Sequence, residues 1–297
     1  MSGDAGAGGP GTGASATLTF LAVLLLQGGP PIATSVGRVT VIAWPGQVAL
    51  ATMLADAADR APPFPDLGTS PALPIRLIVA PDRARFDSIT RGRLPSWSAG
   101  AAYPEMNSIV LLADPRVDRV EGALRHELAH LALRRRIGRR APLWFEEGFA
   151  AVAAGEWDRL DVLRLDWQLA RGVHMDLDSL DRALRGDATD AGAAYGLATT
   201  AVLLLRRWGG DAGLRPLIER LATAPTFEQA LRDTYHLTGG DFEQRWQKDL
   251  AARYGWLGWA QSVGLFWAAV GVVLIILVRL RRRRDEVRKA LLDLPSP

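Results

Sequence analysis

Two histidines four residues apart, with a glutamate directly after the first, are the side chains in this sequence best suited to chemistry: His126-Glu127-Leu128-Ala129-His130. On a helix, positions i and i+4 lie one above the other on the same face. Two neutral imidazoles placed there can grip one divalent ion. Glu127, one residue round the helix, is poorly placed to bind that ion but can reach a water on it. Two ligands and a general base are the division of labour that metal-assisted hydrolysis of an amide requires. The flanking Leu124, Leu128, Leu131 and Leu133 predict a buried helix. Burying two histidines and a glutamate there is costly unless a metal or close partners satisfy them.

The elements that must position these groups can be read outward from them. Val120–Arg136 is rich in helix formers and contains no proline. Gly138 can end the helix, and Arg134, Arg135 and Arg136 suit the negative end of its dipole. Pro142 then fits the first turn of a second helix, Pro142-Leu143-Trp144-Phe145-Glu146-Glu147-Gly148-Phe149-Ala150. Two antiparallel helices on a short turn bring their inner faces together. A carboxylate from the second, Glu146 or Glu147, can complete a His, His, Glu site that leaves a fourth position open to water.

HELAH followed by W-F-E-E-G-F-A resembles the gluzincin clan of zinc peptidases. Within the clan it is similar to the bacterial peptidase MA-like family, and its E-G-F-A segment resembles that of aminopeptidase N. The resemblance implies Zn2+ as cofactor and a zincin-like fold. It assigns the Glu before Gly, Glu147, as third ligand, with Glu146 at a variable position. Gly100–Leu112 is similar to the family's strand before the zinc helix, an edge that pairs with extended substrate. Tyr195 opens a segment similar to the family's Tyr-led helix, which makes it the candidate oxyanion donor, with Tyr103 on the edge strand as the alternative. Phe227, Glu228, Phe242 and Trp246 fit the closing pattern. The metzincin pattern fails, because it needs Gly and His where Leu133 and Arg136 stand. His174 and His236 read as surface or structural residues, with His174 a lesser candidate near the site.

Composition narrows the field. The sequence has no cysteine, which excludes disulfides, zinc ribbons and thiol catalysis. A metal must then use carboxylates and the four histidines. The pI near 9.7 is a local effect. Residues 279–297 carry seven basic and three acidic side chains, so this stretch holds +4 of a total of +3 and the rest sums to −1. No nucleic-acid partner is expected from a near-neutral folded region.

Along the chain, residues 1–36 read as a Gly/Ala-rich disordered leader followed by a signal peptide, with its apolar stretch at Thr17–Leu26. Residues 37–254 read as the metallopeptidase domain, α+β over 37–140 and helical over 141–254. Strands are predicted at Arg38–Ala43, Pro74–Ala80 and Ser108–Ala113, and helices at Val48–Arg60 and Asp82–Thr90; 61–74 and 91–100 read as loops. From Val117 the pattern is helical, with amphipathic periods at 158–169, 193–207, 214–222, 226–235 and 241–254. Residues 256–278 contain no charge and, at about 1.5 Å per residue, would extend about 34 Å. That predicts a C-terminal transmembrane helix, with 279–297 as a basic cytoplasmic tail. The full expectation is an α+β, zincin-like protein of the cell membrane. It would be single-pass, with its catalytic domain extracytoplasmic and a peptide or protein as substrate. A catalytically silent zincin-like binding module, or a zinc hydrolase of a non-peptide amide, is compatible with the same residues.

Overall fold

A computed structural model of the chain describes residues 29–69, 74–157, 159–171, 174–186, 188–254, 267–268, 270–279 and 281. Short β-branched and leucine-rich runs build one five-stranded sheet. Its strands are β1 (Ile32–Val36), β2 (Val39–Ala43), β3 (Ile75–Ala80), β4 (Gly100–Tyr103) and β5 (Ser108–Leu112), in the order β1-β2-β3-β5-β4. The three inner strands are parallel, with Val41 opposite Leu77 and Leu77 opposite Ile109; β1 and β4 run antiparallel at the two edges.

The sheet is covered on both faces. The helix α1 (Val48–Asp59) buries Ala51, Leu54, Ala55 and Ala58, the stripe of a 3.6-residue period, in the core that also holds Val41, Leu77 and Ile109. On the other face α2 (Arg83–Thr90) seats Phe86 against Ala80 and Val110. Asp82 caps α2 by accepting a hydrogen bond from the Arg85 amide at 2.8 Å. After β5 comes the 21-residue α3 (Val117–Ile137), then α4 (Leu143–Ala154), α5 (Arg159–Ala170), α6 (Leu177–Ala183) and α7 (Ala188–Trp208). The series closes with α8 (Arg215–Thr223), α9 (Phe227–Tyr235) and α10 (Gly239–Tyr254). The sheet and the helical region share one continuous core, from Val39 to Tyr254. Asp66 joins them too: almost fully buried, it accepts from the Leu214 amide at 2.9 Å and faces Arg206 at 3.3 Å.

Two elements were not anticipated. β1 precedes residue 37. α6 lies in an Asp/Arg-rich stretch that shows little apolar periodicity. β4, which begins at the last residue of the stretch read as loop, was expected only through the family's edge strand.

The expected transmembrane helix at 256–278 is corrected. Residues 255–266 and 269 lie outside the described residues. Those at 270–279 are helical. Among the described residues, no helix is long and apolar enough to cross a membrane. The expected membrane attachment rested on that helix and is not supported. The apolar run at 17–26 and most of the basic tail lie outside the described residues.

Candidate metal centre and its cleft

The helix α3 carries the H-E-x-x-H residues on a strip that lines a cleft beside edge strand β4. Val120, Leu124, Leu128 and Leu131 point into the core, while His126 and His130 border a cleft of about 630 Å³. Gly138, at φ 71°, ends the helix in a left-handed turn, its amide donating to the Arg134 carbonyl at 2.8 Å. Pro142 sits at the cap of α4, and its extended backbone turns the chain back. The first free amides of α4, those of Leu143 and Trp144, donate to the Asp181 carboxylate on α6 at 3.2 and 2.7 Å. Near the other end of α4, the Arg125 guanidinium on α3 donates to the Ala153 carbonyl at 3.1 Å. The turn at 138–142 thus joins the two helices at one end and the Arg125 hydrogen bond at the other.

This fastening brings Glu147 over the histidines. Its Oε2 is 3.3 Å from His126 Nε2 and 3.6 Å from His130 Nε2, and one ligand atom from each of the three side chains lies within 4.8 Å of the others. The three form a group able to hold a metal ion, the donor set being two imidazole nitrogens and one carboxylate oxygen. Burial alone would push both imidazoles to lower pKa. The Glu147 carboxylate beside both, and Glu156 beside His126, outweigh it and raise both values. Burial pushes Glu147 the other way, but the facing imidazoles hold its carboxyl far below the usual range. The chain thus stabilises positive charge at the point where the three side chains converge.

Glu127 is 8% exposed and does not join the trio. Burial raises its pKa above the ordinary carboxylate value, which suits a group that must take up a proton near neutral pH. Gly100, on edge strand β4, lies directly against it: a β-carbon there would stand 2.5 Å from Glu127 Oε1. Tyr195 on α7 approaches from the opposite wall. Its ring is 6.5 Å from that of His126, and burial, then the charge of Glu147, lifts its pKa well above the phenol value. Gly148 makes this approach possible, because a β-carbon there would fall 2.5 Å from the Ala198 carbonyl of α7. Tyr103 lines the same cleft. Glu146, beside the third ligand candidate, accepts from the Ala141 amide at 2.8 Å, and burial raises its pKa. His174 and His236 are exposed and stand outside the cleft.

Two contributors escaped sequence reasoning. Glu156, just beyond α4, places its Oε2 3.0 Å from His126 Nδ1. With Nδ1–H donating to this carboxylate, the imidazole turns its Nε2 toward Glu147 and His130. Trp97 packs edge-on against Tyr195 at 5.3 Å, and its buried indole N–H has no acceptor among the described residues. Both residues sit in irregular backbone, where no periodicity reports on position.

A mixed sheet leading into an H-E-x-x-H helix, with a second helix returning a glutamate over the two histidines, defines a peptidase-like fold of the zincin type. Residues 66–252, more than half of the chain, match the family model of the peptidase MA superfamily, and the chain belongs to that superfamily. The match starts after β1, β2 and α1, which nevertheless complete the same sheet. No curated protein matches the chain.

Proposed function

We propose that this protein is a zinc-dependent peptidase. His126, His130 and Glu147 hold the metal, Glu127 is the general base and Tyr195 is the oxyanion donor. The observation that carries this reading is the convergence of three ligand atoms within 4.8 Å, beside a buried glutamate that is not one of them. Two nitrogens and one oxygen are a donor set that zinc accepts in catalytic sites. When bound, the ion supplies Lewis acidity, both to a water and to the scissile carbonyl.

The protein's own groups do the rest. Glu127 takes a proton from the attacking water on its carboxylate and returns it to the leaving amine. Tyr195, kept protonated by burial and by the charge of Glu147, offers its O–H to the oxyanion. The outer edge of β4 has no strand partner among the described residues, so an extended peptide can add there by backbone hydrogen bonds. Gly100 leaves the room at this edge that Glu127 occupies.

The test is hydrolysis of a mixed peptide library by the zinc-loaded full chain. Glu127→Gln should retain its zinc and lose about 10²–10⁴-fold in rate. Chelation should abolish cleavage in the parent, and zinc should restore it. Cleavage by Glu127→Gln as fast as by the parent would rule the mechanism out. A silent binding module would hold zinc and cleave nothing, whereas a hydrolase of other amides would act only on non-peptide substrates.

A further inference from the structure

Four arginines line the cleft, and the fold neutralises them unevenly. Arg134 pairs with Glu105 at 2.9 Å and Arg185 with Asp181 at 3.6 Å. Arg140 forms no ion pair among the described residues, but its charge is felt by both Glu105 and Glu146, which share its surroundings. Arg93 differs. Its side chain has no ion pair or hydrogen bond among the described residues, and neither has that of Arg91. The tight turn after α2, with Arg91 at φ 59° and Gly92 at φ 60°, holds these two cations two residues apart. Both charges reach Tyr103 at the end of β4, and Glu127 is the acid that opposes them there.

Arg93 sits on the concave wall of the cleft, with Leu94, Pro95 and Trp97 following it, while Arg91 lies outside the lining. Apolar walls concentrate the field of a nearby charge, and a guanidinium presents a fork that matches a carboxylate. The position relative to the chemistry follows from β4. Gly100 abuts Glu127, and Tyr103 lies three residues further along the strand, about 10 Å at ~3.3 Å per residue.

We propose that the cleft selects peptides with a carboxylate about two or three residues from the scissile bond, received by Arg93 with Arg91 behind it. This inference rests on the peptidase reading and names its substrate class. The carboxylate can belong to an Asp or Glu side chain or to a chain terminus that ends at that point.

The test uses the zinc-loaded full chain and sets of matched peptides. One set is capped at both ends and carries Glu, Gln or Lys at a single position scanned outward from the cleaved bond. A second set carries Gln throughout and ends in a free carboxylate at the same distances. The parent should cleave a carboxylate-bearing peptide about fivefold faster in kcat/KM than its neutral partner, and Lys should be the slowest. The set in which the preference appears identifies the source of the carboxylate. In the double variant Arg91→Glu, Arg93→Glu the preference should vanish or invert while zinc content stays that of the parent. Binding of the same peptides to zinc-loaded Glu127→Gln, followed by fluorescence anisotropy, gives an independent reading. If nothing is cleaved but Glu127→Gln still favours the carboxylate peptides, the peptidase reading falls and the charge preference stands. Equal handling of Glu, Gln and Lys in both assays, or a preference that survives in the double variant, would overturn the inference.

Discussion

Glu156 does for His126 what the H-E-x-x-H spacing alone cannot: it fixes which way the ring faces. A carboxylate on the distal nitrogen of a ligand histidine orients the ring and raises its basicity. Glu156→Gln should therefore weaken zinc binding by about 10–100-fold, measured by competition with a chelator of known affinity. An unchanged affinity would make the 3.0 Å contact incidental. Tyr195→Phe should lower kcat by about 10²–10³-fold while leaving zinc affinity near that of the parent, the pattern of a lost oxyanion donor. Loss of metal instead would mark Tyr195 as a packing residue. At this scale the convergence of His126 and His130 was legible in the sequence, because helix geometry turns a spacing of four residues into a shared face. Choosing Glu147 over Glu146 needed the family resemblance. Glu156 was not legible, since it reaches His126 across thirty residues from a loop that begins at Gly155, φ 75°.

The proposed metal centre requires α4 to lie close to both α3 and α7, and Gly148 is where that closeness is most demanding. Gly148→Ala puts a β-carbon 2.5 Å from a backbone carbonyl that cannot swing aside. The expected cost is about 1–3 kcal/mol, with a lowered Tm. Because Glu147 and Tyr195 ride on the two separated helices, zinc affinity should fall as well. A variant as stable as the parent with parental affinity would show that the helices have slack. A second helical contact predicts a pH effect. The Tyr235 hydroxyl on α9 donates to the Leu205 carbonyl on α7 at 3.0 Å, and burial, then the charge of Asp66, pushes its pKa from 10.0 up to about 12. The unfolded chain releases this proton near pH 10 while the folded chain keeps it to about pH 12. Stability from this group is thus complete below pH 10 and lost as pH rises to about 12. Tyr235→Phe should be less stable at pH 8 but lose less between pH 10 and 12, as read by urea denaturation. Equal slopes for the two proteins would contradict the shift.

The inner strands and long helices were legible because each buries an alternating or 3.6-residue stripe. The edge strands were not legible in this way, and only the family resemblance pointed to β4. Ile32–Val36 leaves Ile32 47% exposed and shows no clean alternation, and Gly100–Tyr103 is four residues of mostly Gly and Ala, which favour strands weakly.

For the whole molecule, the sheet supplies Gly100, α3 the two histidines and Glu127, and the helical region Glu147, Glu156 and Tyr195. The site therefore tests whether these parts are assembled. Anything that binds only the folded form stabilises it, by about 4 kcal/mol when free ligand exceeds Kd a thousandfold. Removing zinc should accordingly lower Tm, and the drop should disappear in Glu147→Ala. At this scale the charge-free run at 256–278 matched a bilayer in length, yet among the described residues no helix is long and apolar enough to cross one. The most direct measurement of the central claim is a zinc titration of the metal-free full chain, parent against Glu147→Ala, followed by calorimetry. The account predicts one tight site per parent chain and a loss of at least about tenfold in affinity when the carboxylate is removed. Equal affinity in the two proteins, or no zinc bound by the parent, would contradict it.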